Sequence, residues 1–313
     1  MKVLKIIGKV IVGIISTVIS LVLIVVILFN LLKFPIYGDY FSIKEDICVN
    51  PGLNDGFICQ GIAASEENDK ILVSGYMVDD TNSRIYVTNK KNESYYVNLI
   101  KNGEEFTGHV GGIATSNGNV YLANGSKVYT LPLEDVLNAN NGDYIEIGEG
   151  TKVNNNASFI YCDDTYLYVG EFHDGGKYLT NHPYQTSDGL YHAICSRYDI
   201  NDLSKPNKVY SIRDKVQGIC FTPNGKVVLS TSYGLDSSVY YVYNEEDAIL
   251  SDNTLDDAPV YYLNNLQREI SGPAMAEGLD FYEGKVITLT ESASNKYIFG
   301  KFFFANYIVG LRI

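Results

Sequence analysis

Short apolar runs alternate with turns rich in Gly, Pro, Asn and Asp through most of this chain, and they do so as a repeating unit. In its clearest copy, Gln217-Gly218-Ile219-Cys220-Phe221 turns at Pro223-Asn224-Gly225-Lys226 and returns as Val227-Val228-Leu229, which predicts a β-hairpin with a Gly-containing turn. Gln60-Gly61-Ile62-Ala63 leads in the same way to Ile71-Leu72-Val73-Ser74, and Gly111-Gly112-Ile113-Ala114 leads to Val120-Tyr121-Leu122-Ala123. Glu277-Gly278-Leu279-Asp280 leads to Val286-Ile287-Thr288-Leu289, and a weaker copy runs from Ser158-Phe159-Ile160 through Asp163-Asp164 to Leu167-Tyr168-Val169. The markers Gly61, Gly112, Ser158, Gly218 and Gly278 recur at intervals of roughly 50 residues, the period of a four-stranded propeller blade. The pattern predicts an all-β protein, a β-propeller over residues 57–313, with five blades preferred and six if a degenerate blade hides in a longer interval.

The last repeat ends one strand short, after Tyr307–Ile313. The alternating segment Phe41–Val49, before the first repeat, is expected to supply the missing outer strand and close the ring, since an unpaired edge is a liability. Tyr144–Ile147 is assigned to the second blade. In the fourth, the acidic connection around Glu245, Glu246, Asp247, Asp252, Asp256 and Asp257 reads as a solvated loop. Two long loops interrupt the pattern: Glu171–Tyr191 in the third repeat, and Ser292–Asn306 in the fifth, whose Phe299, Phe302, Phe303 and Phe304 are expected to pack over the domain, with facing the nearby bilayer as the alternative.

Val10–Leu32 is free of charge, and its 23 residues as a helix reach about 34 Å at ~1.5 Å each, enough to cross a hydrocarbon core of ~30 Å. Lys2, Lys5 and Lys9 precede it and only Lys33 follows closely, which predicts a single-pass signal anchor with the N-terminus cytoplasmic and the propeller extracytoplasmic, at the cell membrane. Residues 1–33 are thus read as cytoplasmic tip and transmembrane anchor, and 34–56 as linker and closing strand. The whole chain carries a formal charge of −13, and because those four lysines sit in the anchor, the remainder is more acidic still. Such a surface repels phosphate backbones, so no nucleic acid partner is expected. Five cysteines form no C-x-x-C pair. They read as small apolar strand residues, with Cys48 and Cys59, which bracket a Pro/Gly turn, as the one candidate bridge.

In a propeller, the residues leading into each innermost strand lie on the same face as the loops after the second strands. That rule gathers Gln60, His109, Gln217 and Glu277 with Glu171, His173, Ser232, Tyr233 and Glu291 at one channel mouth, the place to expect a ligand or ion. The hard oxygen donors there suit Ca2+ or Mg2+, with Glu277 as the leading metal ligand, whereas the wide spacing of His173, His182 and His192 fits no zinc signature. The sequence lacks H-E-x-x-H, a P-loop and G-x-G-x-x-G, and Ser230-Thr231-Ser232-Tyr233-Gly234 departs from a nucleophile elbow at its first position.

Phe221-Thr222-Pro223-Asn224-Gly225-Lys226 resembles the S-P-D-G-K inner hairpins of exported bacterial propellers in the YncE-like and SMP-30/strictosidine-synthase-like groups. His109–Ala114, Val169–Phe172 and Ala276–Leu279 are similar to segments of uncharacterised members of that kind. The resemblance spans roughly residues 57–313 and implies a group containing lactonases, esterases and binding scaffolds. SMP-30-like enzymes hold a divalent cation in the channel through Glu, Asn and Asp, and Glu277, in its Glu-Gly context, looks like the first of these. Two functions follow as expectations. One is a membrane-anchored propeller that binds a ligand, glycan or protein at its mouth, and the other is a divalent-metal-dependent hydrolase acting on a lactone, ester or phosphoester.

Overall fold

The computed structural model describes residues 2–297, 299–303 and 305–313. Phe304 lies outside the described residues, as do the side chains of Lys2, Leu4 and Phe303. Among the described residues, the strands form five blades around one axis. The innermost strands are Phe57–Ser65, Gly112–Ser116, Phe159–Cys162, Val216–Phe221 and Ala276–Tyr282, one from each repeat. Each pairs antiparallel with the strand that follows it across the turn read from the sequence.

The hub shows why glycine marks the repeat. A Cβ on Gly61 would lie 2.6 Å from the backbone nitrogen of Ile113 in the second blade, and one on Gly112 would lie 2.5 Å from that of Ile160 in the third. Gly218 faces the backbone of Leu279 at 2.7 Å, and Gly278 faces that of Ile62 at 3.0 Å, which returns the ring to the first blade. Neighbouring main chains therefore touch with no room for a side chain. Hydroxyls bridge the same seams: Ser74 donates to the Val110 carbonyl (3.0 Å), Thr115 to that of Ala64 (2.6 Å) and Ser230 to that of Glu277 (2.7 Å). Within blade 3, the weak copy, the Phe159 ring fills the space where Gly170, its partner on the second strand, would carry a Cβ. Between blades, both faces of the inner strands are buried in apolar clusters, so these strands read as continuous apolar runs.

The closing strand takes its expected place but starts at Lys44, because Phe41–Ile43 remain in the N-terminal helix. Lys44–Val49 pairs antiparallel with Tyr307–Leu311 as the outermost strand of the fifth blade. Two other segments depart from expectation. Tyr144–Glu146 does not complete the second blade, where Thr151–Lys152 is the outer strand, but crosses back to extend the first blade, parallel to Tyr95–Lys101. The acidic connection of the fourth repeat is not wholly loop either. Its Ile249–Leu255 forms a hairpin with Ala258–Tyr262, which adds in parallel to the outer strand Lys208–Ile212 of the third blade, leaving Arg268–Gly272 to complete the fourth. In both places an edge that would otherwise stand open is paired by a neighbour's excursion. All five cysteines are free thiols, so the Cys48–Cys59 bridge does not form.

The N-terminal helix, Lys2–Ile43, is long and apolar enough to cross a membrane and breaks helical geometry at Tyr37, two residues after Pro35. Its last turns lie along blades 4 and 5. Tyr40 stacks on Tyr240 with ring centroids 6.2 Å apart, and Tyr37 shares a hydrogen bond with Ser237 (3.0 Å).

The hub contacts predict that Gly218→Ala or Gly278→Ala lowers the thermal unfolding midpoint of the purified protein, at a cost of about 1–3 kcal/mol or more for an overpacked site. Gly38→Ala, where a Cβ meets nothing within 4 Å, should leave the midpoint unchanged.

Candidate functional site at the channel mouth

The residues that lead into the inner strands, and the loops after the second strands, converge on one face, but their side chains sort into two constellations. The first sits over blades 5, 1 and 2. Glu291 begins the short 3-10 turn after the second strand of blade 5, while Gln60 sits at the register shift within the inner strand of blade 1 and His109 lies just before the inner strand of blade 2. Gln60 Nε2 donates to Glu291 Oε2 (2.9 Å), which makes Gln60 Oε1 an acceptor, so His109 donates to it through Nε2 (2.8 Å). The His109 ring packs on Tyr76 at 4.3 Å, and Tyr76 OH accepts from Lys296 (2.8 Å). Burial, with the charges of Lys296 and Lys177, lowers the His109 pKa to about 4, so the imidazole in this chain of hydrogen bonds is neutral at pH 7.

Glu277 lies below this relay at 3% exposure. Burial first, and then the carboxyl of Glu291, push its pKa well above the carboxylate range, while burial raises Glu291 to about 7 despite the opposing pull of Lys296, Gln60 and Tyr297. Among the described residues no group donates a hydrogen bond to the Glu277 carboxyl. Two carboxyls in such a place share protons rather than both ionise, and a cation or a donor-rich ligand arriving beside them would lower both pKa values. Asn50 lies nearby, its Nδ2 taken by Cys59 and the Thr290 carbonyl while its buried Oδ1 has no hydrogen-bond partner among the described residues, and Glu171 lies in a different blade.

The second constellation is built by the long insertion of blade 3, which folds back on itself through the hairpin Tyr184–Thr186/Gly189–Tyr191. Glu171 is spoken for: its carboxylate takes the backbone N–H of Asn156 (3.2 Å) and of Ile194 (3.3 Å) and pairs with His182 Nδ1 (2.9 Å). His173 and His192 stack with centroids 4.7 Å apart, and Asp214 accepts from both the backbone N–H and, at 2.9 Å, the ring Nδ1 of His192. One ligand atom from each of His173, His192 and Asp214 lies within 4.8 Å of the others, a possible cation-binding group. The Thr180 N–H donates to His173 Nδ1 (3.0 Å), which puts the ring proton on Nε2, so a metal bound at Nε2 requires that proton to leave.

Two clefts flank the insertion. One, of about 310 Å³, is lined by Arg213, Asp214, Ser232, Tyr233, Asp236 and Tyr241, and the other, of about 670 Å³, by Asn154, Asn155, Asn156, Glu171, Thr180 and His182. The nine sequence candidates are therefore divided. Gln60, His109, Glu277 and Glu291 share the hub cluster, Ser232 and Tyr233 line the smaller cleft with Gln217 reaching Ser232 Oγ at 3.4 Å, and Glu171 and His173 belong to the insertion. His192 and Asp214 were not among those candidates. Asp214 lies two residues before an inner strand, a placement the lead-in rule could have caught, whereas the stacking of His192 on His173 exists only because the insertion folds back.

The Glu291 shift sets a sign. A carboxyl whose folded pKa of about 7 exceeds its unfolded value near 4.5 binds more protons when folded, so its contribution to stability falls as pH rises between those values. The depressed His109 pulls the opposite way between about 4 and 6.5. Glu291→Gln is therefore expected to stabilise the protein at pH 8 and to change little at pH 4, measured as the difference in unfolding midpoint from the parent.

No protein-family model and no curated protein matches this chain. Solved structures similar to it include the PQQ-bound form of aldose sugar dehydrogenase from Streptomyces coelicolor, at 14% identity and TM-score 0.45, covering 79% of this chain and 77% of that one. A glucose dehydrogenase-type oxidoreductase from Thermus thermophilus is similar at 13% identity and TM-score 0.42, covering 79% and 78%. The WD40 β-propeller domain of Doa1 is similar at 10% identity and TM-score 0.38, covering 86% and 96%. These similarities extend to the propeller architecture and do not single out the YncE-like or SMP-30-like groups.

Proposed function

We propose that this protein is a membrane-anchored, extracytoplasmic binding propeller that captures a ligand, glycan or protein segment at its channel mouth, through groups that donate to or neutralise the Glu277–Glu291 pair. The observation that carries this reading is Glu277 itself, a carboxyl at 3% exposure with no hydrogen-bond donor among the described residues. Burying such a group without a partner costs stability, and a site that receives a cationic or hydroxyl-rich ligand recovers that cost on binding. Gln60 and His109 present fixed, neutral polar atoms beside it, Gln217 and Ser232 extend the polar surface toward the smaller cleft, and the tyrosines there offer flat apolar faces of the kind a sugar ring stacks on. The N-terminal lysines orient the anchor with its short end in the cytoplasm.

A metal-dependent hydrolase is the second reading, and the His173–His192–Asp214 group favours it over a Ca2+ or Mg2+ site on Glu277. Two imidazoles and a carboxylate suit zinc or another transition ion, which would lower the pKa of a bound water beside the smaller cleft.

Thermal unfolding of the purified full chain separates the two. A ligand at 100 times its dissociation constant adds about 2.7 kcal/mol, so soluble oligosaccharides, calcium, magnesium and zinc can each be scored by the shift they cause. The binding reading expects an oligosaccharide shift that Glu277→Gln abolishes while the unliganded midpoint holds or rises, whereas a calcium or magnesium shift that Glu277→Gln abolishes favours the hydrolase with its ion in the channel. A zinc shift abolished by His192→Ala, with Glu277→Gln without effect, transfers the function to the second constellation.

A further inference from the structure

We infer that the mouth face lies directly against the bilayer, so that the channel opens onto the lipid surface from which the N-terminal helix emerges. The direction of the chain fixes this first. In blade 5 the loop after the second strand is on the mouth side, so Tyr307, which follows it, is the mouth end of its strand and Leu311 the far end. The closing strand pairs Lys44 with Leu311 and Val49 with Tyr307, which sets the start of that strand, and the last residue of the helix, at the end away from the mouth. Ile43 accordingly accepts from the Arg312 backbone N–H (3.1 Å). Followed backwards, the helix climbs toward the mouth. Tyr37 reaches Ser237 in the mouth loop of blade 4, and Asn30 Nδ2 reaches the Phe302 carbonyl in the mouth loop of blade 5 at 3.4 Å. Asn30 belongs to the last turn of the uncharged stretch Val10–Leu32. A mouth loop thus sits at the level where the membrane-crossing segment ends, and the remainder of the helix projects beyond that face.

Surface composition supports the same placement independently. Outside the helix, most of the exposed large apolar side chains, among them Val78, Leu179, Leu190, Tyr233, Leu235 and Phe302, lie on the mouth face in segments that follow a second strand, while Tyr144, Ile249 and Leu250 lie on rim strands. Leu235 is 75% exposed and Leu179 64% exposed, a poor arrangement for a face bathed in water and a suitable one for the boundary between headgroups and acyl chains. The turns at the opposite end are polar and largely acidic, with Glu66, Glu67, Asp69, Asp163, Asp164 and Glu283, and carry none of the exposed large apolar residues. The placement holds whichever side of the membrane the propeller occupies. Combined with the binding reading, on which this last step alone rests, it makes the ligand one that is presented at a lipid surface.

The chain contains no tryptophan, so each introduced tryptophan is a single reporter. We would reconstitute the full chain into phosphatidylcholine liposomes with and without acyl-brominated phosphatidylcholine and compare Leu235→Trp and Phe302→Trp at the mouth with Glu67→Trp at the opposite end and Ile24→Trp within the helix. The expected result is blue-shifted emission, lost on bromination, for Leu235→Trp, Phe302→Trp and Ile24→Trp, with Glu67→Trp unaffected. Quenching at Ile24→Trp alone would overturn the inference by showing that the mouth stands clear of the lipid, and an absence of quenching at Ile24→Trp would overturn it by removing the anchor. Adding Glu277→Gln to Leu235→Trp should leave the quenching unchanged, so a failed ligand assay and a failed quenching assay remain separate results.

Discussion

Backbone-to-backbone contact at the hub is the constraint on which the molecule rests. Five inner strands meet around an axis so narrow that at four seams the main chain of one blade lies within about 3 Å of where its neighbour's side chain would begin, and only glycine leaves that space open. Each close approach also brings carbonyls together, and the hydroxyls of Ser74, Thr115 and Ser230 satisfy them, because an orphaned carbonyl in so dry a place would cost as much as a lost hydrogen bond. With glycine at the contact itself, the residue before it becomes the last side chain of any size before the hub. Gln60, Gln217 and Glu277 all occupy that position.

The chemistry of the mouth follows from this crowding. Glu277 is held out of water by the same packing that closes the ring while Glu291 is half-buried, so desolvation raises both, Glu291 less because it keeps Lys296, Gln60 and Tyr297 as partners. His109 is lowered by the same burial and by two nearby lysines. A neutral imidazole, an amide, a Glu277 carboxyl that favours its protonated form and a Glu291 carboxyl near mid-titration give this cluster less formal negative charge at pH 7 than two ordinary carboxylates would, inside a chain whose overall charge is −13. Lys177 joins from the insertion of blade 3, so this element shapes the electrostatics of the hub while building the second constellation.

The outer rim is organised by a different need. The excursions of blades 2 and 4 each leave their own sheet and pair in parallel with the preceding blade, covering the edges of blades 1 and 3, while the fifth blade is covered by the N-terminal strand. That last pairing also ties the long apolar helix to the propeller. Because the closing strand must run antiparallel to Tyr307–Leu311, the helix before it starts from the far end and has to pass along the outside of blades 4 and 5 to reach the mouth side.

The all-β class, the five repeats, the hairpin turns, the closing strand and the length of the apolar helix can all be read from the amino-acid order alone. Each of these is written locally, as a period of alternation, a glycine at a turn or an uncharged run. The sequence gathers Gln60, His109, Glu277 and Glu291 with five other residues at one mouth, because lead-in residues and the loops after second strands share a face, but it does not tell the hub cluster from the insertion and the smaller cleft. Partnership between distant segments emerges only in three dimensions. Nothing local in Tyr144–Glu146 or Ile249–Leu255 says that they pair with another blade's edge, since a strand's pattern records which faces are buried and not which neighbour supplies its hydrogen bonds. The stacking of His173 on His192 beside Asp214, and the passage of the helix toward the mouth, likewise depend on how an irregular insertion folds back and on which end of a strand the chain enters. Periodicity fixes what each element is, whereas the direction and register of pairing fix what it meets, and those are settled by contacts between residues far apart in the chain.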